Sequence, residues 1–175
     1  LIESGHIHFG ENKVQEALEK WPEIKKNNKS LKLHMVGKLQ TNKVKFALKI
    51  FDYIHSLDSL KLAKKISDEQ KNYKNKPKIF IQINIGNEDQ KSGIGKKNIL
   101  DFYTECKKLN LDIIGTMCLP PINQDPKLFF SEMKKINSYL KLKEMSMGMS
   151  EDYIEAIEHT STFLRIGSKI FGQRS

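Results

Sequence analysis

The hydrophobic residues of this chain follow two spacings, one typical of extended strands and one typical of helices. Short apolar runs are followed by apolar residues that recur every three or four positions, and each change falls at a turn residue. In the first unit, residues 7–10 are extended, and apolar residues then recur at helical spacing from Val14 until Pro22. The pattern therefore predicts a series of strand-then-helix units.

Seven segments are predicted to be strands. The clearest is the isoleucine-rich segment that follows Pro77, and an apolar helical stripe containing Phe102 and Cys106 comes after it. The seven predicted strands are residues 7–10, 33–37, 53–55, 79–85, 111–117, 144–149 and 162–166. Regular alternation of strand and helix builds a parallel sheet, because parallel neighbours need crossover connections.

Two architectures fit such a sheet, a closed (β/α) barrel and an open doubly wound sheet. A barrel usually has eight strands and about 250 residues, whereas this chain has 175 residues. Periodicity alone does not decide between them. The length and the 38% hydrophobic content do predict a single domain with one sizeable core.

The chain shows no sign of export or of membrane insertion. It opens at Leu1 without a basic stretch and an apolar run, and its longest apolar runs fall far short of the roughly twenty residues that cross a bilayer. Cys106 and Cys118 have no paired spacing to each other or to a histidine. We therefore expect a soluble, cytoplasmic protein without a disulfide or a metal site.

The formal net charge of +9 raises the alternative of a nucleic-acid-binding module. Of the 30 lysines and arginines, only Arg165 and Arg174 are arginines, which leaves 28 lysines. Base recognition and bidentate phosphate recognition depend mainly on the planar guanidinium. The lysines also cluster with asparagines, as in residues 25–29 and 71–76, and that composition favours a solvated surface.

Several predicted strands end in glycine or polar residues, which favours a ligand site at the carboxyl edge of the sheet. Ser150 is placed to cap a helix that starts next to it, and Gly167 with Ser168 offers backbone amides to an anion. Together they predict a phosphate site. Arg165 shares the strand face of Gly167 and would point towards a ligand; the alternative is a buried ion pair inside the barrel.

Six segments carry a family resemblance. They are FGENKVQE at 9–16, GKLQTNK at 37–43, QINI at 82–85, KSGI at 91–94, SMGMSED at 146–152 and RIGSKIFG at 165–172. In this order they resemble the motifs of the pyridoxal phosphate homeostasis protein family, single-domain relatives of the alanine racemase barrel. The resemblance implies a (β/α)8 TIM barrel of the alanine racemase N-terminal type. Residues 1–175 would be one pyridoxal-phosphate-binding domain.

The resemblance also implies roles for five residues. Ser150, Gly167 and Ser168 would hold the phosphate of pyridoxal phosphate, Arg165 would face the cofactor, and Asn12 would line the same pocket. In the family a lysine on the first barrel strand holds the cofactor as a Schiff base, and this chain begins after the matching position. We therefore expect a barrel that lacks its first strand and is incomplete at the N-terminus.

The function that the resemblance implies is homeostasis of pyridoxal phosphate inside the cell. An arginine near the pyridine nitrogen would disfavour its protonation and weaken the ring as an electron sink. We therefore expect a cofactor carrier or buffer without catalytic residues, which transfers pyridoxal phosphate transiently to apoenzymes and binds neither nucleic acid nor membranes. The alternative is a fold-type III amino-acid racemase, which would need a second base and a separate β domain.

Overall fold

The computed structural model describes residues 1–74, 76–88 and 90–172 and shows the predicted alternation of strands and helices. The strands are β1 His8–Glu11, β2 Lys32–Met35, β3 Tyr53–Leu57, β4 Lys78–Asn84, β5 Ile94–Gly95, β6 Ile113–Cys118, β7 Glu144–Met149 and β8 Phe163–Arg165. The helices are α1 Val14–Asn27, α2 Val44–Ile50, α3 Leu60–Gln70, α4 Ile99–Lys108, α5 Pro126–Tyr139, α6 Tyr153–Glu158 and α7 Ser168–Phe171.

The strands form one parallel sheet in the order β1-β2-β3-β4-β6-β7-β8, and the two-residue β5 pairs with β4 at its side. Every pairing among the described residues is parallel, as between His8 and Lys32 on β1 and β2 or Gly115 and Glu144 on β6 and β7. The connecting helices cover the outer face. The main core lies between them and the sheet, where Ile54, Ile79 and Phe130 are fully buried.

The sheet curls back on itself. The ring of Phe163 on β8 lies 6.1 Å from the ring of His8 on β1 and 5.3 Å from Phe80 on β4. Strands at opposite ends of an open sheet could not make both contacts. The barrel prediction is confirmed, and the doubly wound alternative is wrong. Among the described residues β1 and β8 are the two ends of the strand order and share no backbone pairing. The expectation of an upstream strand stays a prediction.

One predicted helix end is wrong, and one short strand was not predicted. Helix α1 continues through Pro22 to Asn27 instead of ending at the proline. Pro22 lies on the exposed side, so the lost hydrogen bond faces solvent while Trp21 stays buried and Ile24 packs against the core. Strand β5 was missed because two residues are too few to show a period.

Both cysteines are buried and free. Burial raises the pKa of each thiol to about 12, so neither is a reactive thiolate at neutral pH. Within the described ranges no helix combines the length and apolar character that crossing a bilayer requires. The cytoplasmic setting stays a prediction.

Candidate functional site

A cavity of about 1520 Å³ opens at the carboxyl ends of the strands. All five residues that the sequence singled out line it. They are Asn12 after β1, Ser150 after β7, Arg165 at the end of β8, and Gly167 and Ser168 at the start of α7. The parallel sheet explains this meeting, because the carboxyl ends of all its strands lie at one rim. A concave cavity with polar side chains at its rim is a candidate small-molecule site.

Arg165 points into the barrel. Its Nη1 donates to Ser146 Oγ at 2.6 Å, and its Nη2 donates to the carbonyl oxygen of Cys118 at 2.8 Å. Both partners are neutral, so the alternative of a buried ion pair is wrong. Burial lowers the pKa of Arg165, but a guanidinium stays protonated at neutral pH. The cavity wall therefore carries a positive charge with which no carboxylate among the described residues forms an ion pair.

Ser150 does not cap α6, the helix next to it, contrary to the sequence prediction. The Asp152 carboxylate accepts the Met149 backbone N–H at 2.7 Å and closes a turn, so α6 begins only at Tyr153. The side chain of Ser150 is turned the other way. Its Oγ accepts long hydrogen bonds of 3.4 Å from the backbone N–H groups of Gly167 and Lys169. Ser150 thus joins the loops that follow β7 and β8 at the cavity rim.

Gly167 faces open space. A Cβ added there would meet nothing within 4 Å, and the backbone φ of −123° is ordinary for any residue. A larger side chain would therefore fit the fold and project into room that is now free for a ligand. Ser168 is exposed beside it, and its hydroxyl is a further donor. The residues at this rim suit a small anion such as a phosphate group.

Asn12 lies at the same rim, on the loop after β1. Its backbone carbonyl packs so tightly against Gly37 that a Cβ at position 37 would overlap it. Glycine at position 37 therefore allows the loops after β1 and β2 to touch. The Asn12 side chain remains exposed at the cavity.

Inside the barrel lies a row of three histidines that no sequence pattern indicated. His8, His34 and His55 stand on three adjacent strands, and their ring nitrogens are linked at 2.9 Å from His8 to His34 and from His34 to His55. His55 Nδ1 then reaches Ser146 Oγ at 2.8 Å. Burial is the main cause of their lowered pKa values, to about 3 for His34 and well below the ordinary range for His55. Both rings are neutral at physiological pH.

The wall near β1 holds a second polar contact that the sequence did not reveal. Glu11 Oε1 accepts a hydrogen bond from the Trp21 indole N–H at 2.7 Å and one from Lys20 Nζ at 3.0 Å. All three residues line the cavity. The contact ties α1 to the strand that precedes it and leaves the buried carboxylate paired.

Comparison with known proteins gives consistent matches along the whole chain. The family model of the alanine racemase N-terminal domain matches residues 1–175. A pyridoxal phosphate homeostasis protein of Pasteurella multocida is 36% identical over an alignment of 183 positions. The alignment covers 98% of this chain and 78% of that protein. The structure of PipY of Synechococcus elongatus PCC7942 without PLP aligns with a TM-score of 0.92 at 31% identity and covers 98% of this chain and 84% of that one. PipY with PLP bound aligns with a TM-score of 0.89 at 30% identity, with the same coverage.

Proposed function

Since this chain belongs to the alanine racemase N-terminal domain family, and within it to the pyridoxal phosphate homeostasis proteins, we propose that it binds pyridoxal phosphate in the cavity at the strand ends. The family resemblance of the six sequence motifs is thereby confirmed. The observation that carries the proposal is the meeting of Arg165, Gly167 and Ser150 at one rim. The PLP-bound PipY structure supports the same choice of ligand.

The rim after β7 and β8 suits the phosphate group. Ser150 holds the two loops together, Gly167 leaves open space, and Ser168 adds a hydroxyl donor. A phosphate there would accept hydrogen bonds from backbone N–H and hydroxyl groups, as anions do in such loops. Asn12 would contact the ligand from the loop after β1. These five assignments remain our proposal.

Arg165 suits the pyridine ring. Its charge is held by two neutral acceptors, Ser146 Oγ and the Cys118 carbonyl oxygen, and in the part of the chain that the structure describes no carboxylate forms an ion pair with it. A fixed cation beside a ring nitrogen disfavours protonation of that nitrogen. When bound, pyridoxal phosphate supplies an electrophilic aldehyde and an electron-accepting ring, and this environment weakens the second property.

The role that fits such a site is storage and delivery of the cofactor. We propose that the protein buffers pyridoxal phosphate and passes it transiently to apoenzymes, with no catalytic turnover of its own. A ring that accepts electrons poorly is ill suited to carbanion chemistry, which is the common task of pyridoxal phosphate enzymes. The single domain of residues 1–175 is part of the same proposal.

The test uses pyridoxine 5′-phosphate, the alcohol analogue, because it cannot react with the 28 lysines. Calorimetry should show binding to the wild-type chain and at least about tenfold weaker binding to Gly167→Val, a loss of about 1.4 kcal/mol. The valine would fill the open space at the rim. Gly95→Val is the matched control, because position 95 is equally open and lies outside the cavity lining. Equal affinity of the wild type and Gly167→Val would refute the phosphate assignment.

A further inference from the structure

A continuous chain of five side chains crosses the inside of the barrel. It begins at His8 on β1, continues through His34 on β2 and His55 on β3, passes to Ser146 on β7 and ends at Arg165 on β8. The four links measure 2.9, 2.9, 2.8 and 2.6 Å. The first three lie within the normal range for a hydrogen bond, and the 2.6 Å link from Arg165 to Ser146 is slightly shorter than that range. This hydrogen-bond chain thus links β1, at one end of the strand order, to Arg165 at the cavity.

Arg165 determines which atom donates in each hydrogen bond of this series. A guanidinium can only donate, so Ser146 Oγ must accept from Arg165. The hydroxyl has one proton of its own, and His55 Nδ1 is the acceptor within reach. His55 then carries its proton on Nε2 and donates to His34 Nδ1. By the same step His34 donates from Nε2 to His8 Nδ1.

The surroundings keep the middle of the chain uncharged. His34 is 4% exposed and stacks on Tyr53 with ring centroids 4.2 Å apart, and His55 stacks on Phe80 at 4.3 Å. The charged groups that act on His34 are Asp52 and Lys25, while Arg165 acts on His55. Burial outweighs them, so two neutral rings separate Arg165 from the less buried His8.

We propose that Ser146 and His55 are positioning residues for Arg165, and that the neutral histidine chain fixes the acceptor which holds the guanidinium against the pyridine ring of the ligand. The proposal rests on the proposed function for the identity of that ring. In this arrangement the Ser146 hydroxyl cannot rotate freely. His55 Nδ1 accepts the hydrogen bond that the Ser146 hydroxyl donates, so a lone pair of Oγ stays directed at Nη1. A histidine that lost its Nδ1 acceptor would release the serine and, with it, the arginine.

The proton arrangement can be tested on the wild-type chain without any ligand. Nitrogen-15 NMR of the histidine rings at about neutral pH should show His34 and His55 with Nε2 protonated and Nδ1 unprotonated. Ser146→Ala should alter the His55 ring signals because Nδ1 loses its donor. Ser56→Ala is the matched control, since Ser56 is buried next to His55 in sequence and its hydroxyl has no partner. A protonated Nδ1 on His55, or equal responses to both variants, would overturn the proposal.

The positioning role is tested by comparing two probes, pyridoxine 5′-phosphate and inorganic phosphate. His55→Phe keeps a stacking ring but removes the Nδ1 acceptor. It should weaken binding of pyridoxine 5′-phosphate about tenfold, or about 1.4 kcal/mol, and leave the affinity for inorganic phosphate unchanged. His55→Asn offers an amide oxygen in place of Nδ1 and should recover part of the loss. An equal loss for both probes would indicate a general structural defect and would overturn the positioning role.

Absorbance of the bound ligand distinguishes the positioning of Arg165 from ligand binding itself. The absorbance of bound pyridoxine 5′-phosphate reports protonation of the ring nitrogen, and the pH at which it changes should be lower in the wild type than in Ser146→Ala. An unchanged titration in Ser146→Ala would overturn the positioning role even if the ligand binds. If neither probe binds to the wild type, the proposed function fails, whereas the NMR result still decides on the histidine chain.

Discussion

His34 has both ring nitrogens occupied by other histidines inside the barrel, and its protonation would break one of these contacts. Its pKa is about 3 in the folded protein and ordinarily about 6.5 in an unfolded chain. Between these values the unfolded state binds a proton that the native state does not. The free energy of unfolding must therefore fall as the pH drops through this window, by about 2 kcal/mol at pH 5 for this one residue.

Urea unfolding at about pH 7 and about pH 5 measures this effect. His34→Gln should lose less stability than the wild type over the same interval, because the titrating ring is gone. His6→Gln is the control, since His6 is exposed. The explanation is wrong if the free energy of unfolding of the wild type, His34→Gln and His6→Gln falls by the same amount between the two pH values.

At the scale of residues, the sequence predicted the lining of the cavity better than its hydrogen bonds. Ser150 and Arg165 were found because strand ends in a parallel sheet meet at one rim, whereas Asn12 was implied only by the family resemblance. The hydrogen bonds of Ser150 depend on where α6 begins, and the Met149–Asp152 turn sets that point. The histidines stand on separate strands without a sequence spacing, so only the register of the sheet could reveal them.

At the scale of elements, strands β6 and β7 depend on one glycine. A Cβ at Gly115 would overlap the backbone carbonyl of its partner Glu144. We expect Gly115→Ala to force these strands apart and to lower the free energy of unfolding by about 1–3 kcal/mol. Chemical denaturation measures the change, with Gly95→Ala as the control at an open position in β5. Equal stabilities of the two variants would contradict the close packing seen here.

The elements themselves were largely predictable, because each combines an apolar period with a turn signal. The strand of residues 144–149 was predicted with the bounds that the structure shows. The errors fall where another effect outweighs the local signal. Core packing of Trp21 and Ile24 carries α1 past Pro22, and the two residues of β5 are defined only by their pairing with β4.

At the scale of the whole molecule, the sheet has two unpaired edges, β1 and β8, among the described residues. Exposed strand edges offer backbone groups to other chains and promote association. We expect the chain to self-associate as its concentration rises. Ile7 lies beside β1 and is 38% exposed, so Ile7→Lys should weaken association about tenfold, or about 1.4 kcal/mol, through charge at the edge.

Sedimentation velocity over a range of concentrations measures this association. Ile122→Lys is the control, because Ile122 is 94% exposed and lies in the connection between β6 and α5, away from both edges. Equal effects of the two lysines would attribute association to general surface apolarity and not to the sheet edges.

Closure of the sheet is the property of the whole molecule that hydrophobic periodicity could not decide, and only the family resemblance implied the barrel. Alternating strands and helices are common to the barrel and to the doubly wound sheet, and the count of strands favoured neither. The contacts of Phe163 with His8 and with Phe80 settle the question. They join residues that lie far apart in the sequence, so no local pattern contains them.

The hydrogen bond between Trp21 and Glu11 holds a fluorescent side chain at a fixed place in the cavity wall. Trp21 is the one tryptophan of the chain, and it lies in the cavity wall with its indole N–H fixed to the Glu11 carboxylate. Fluorescence excited at the red edge of the tryptophan band therefore arises from a single indole at a known position. A ligand that enters the cavity and absorbs in the near ultraviolet would quench this emission by energy transfer. The unmodified chain thus contains its own reporter of cavity filling, which can be followed in stopped-flow time courses without an attached dye.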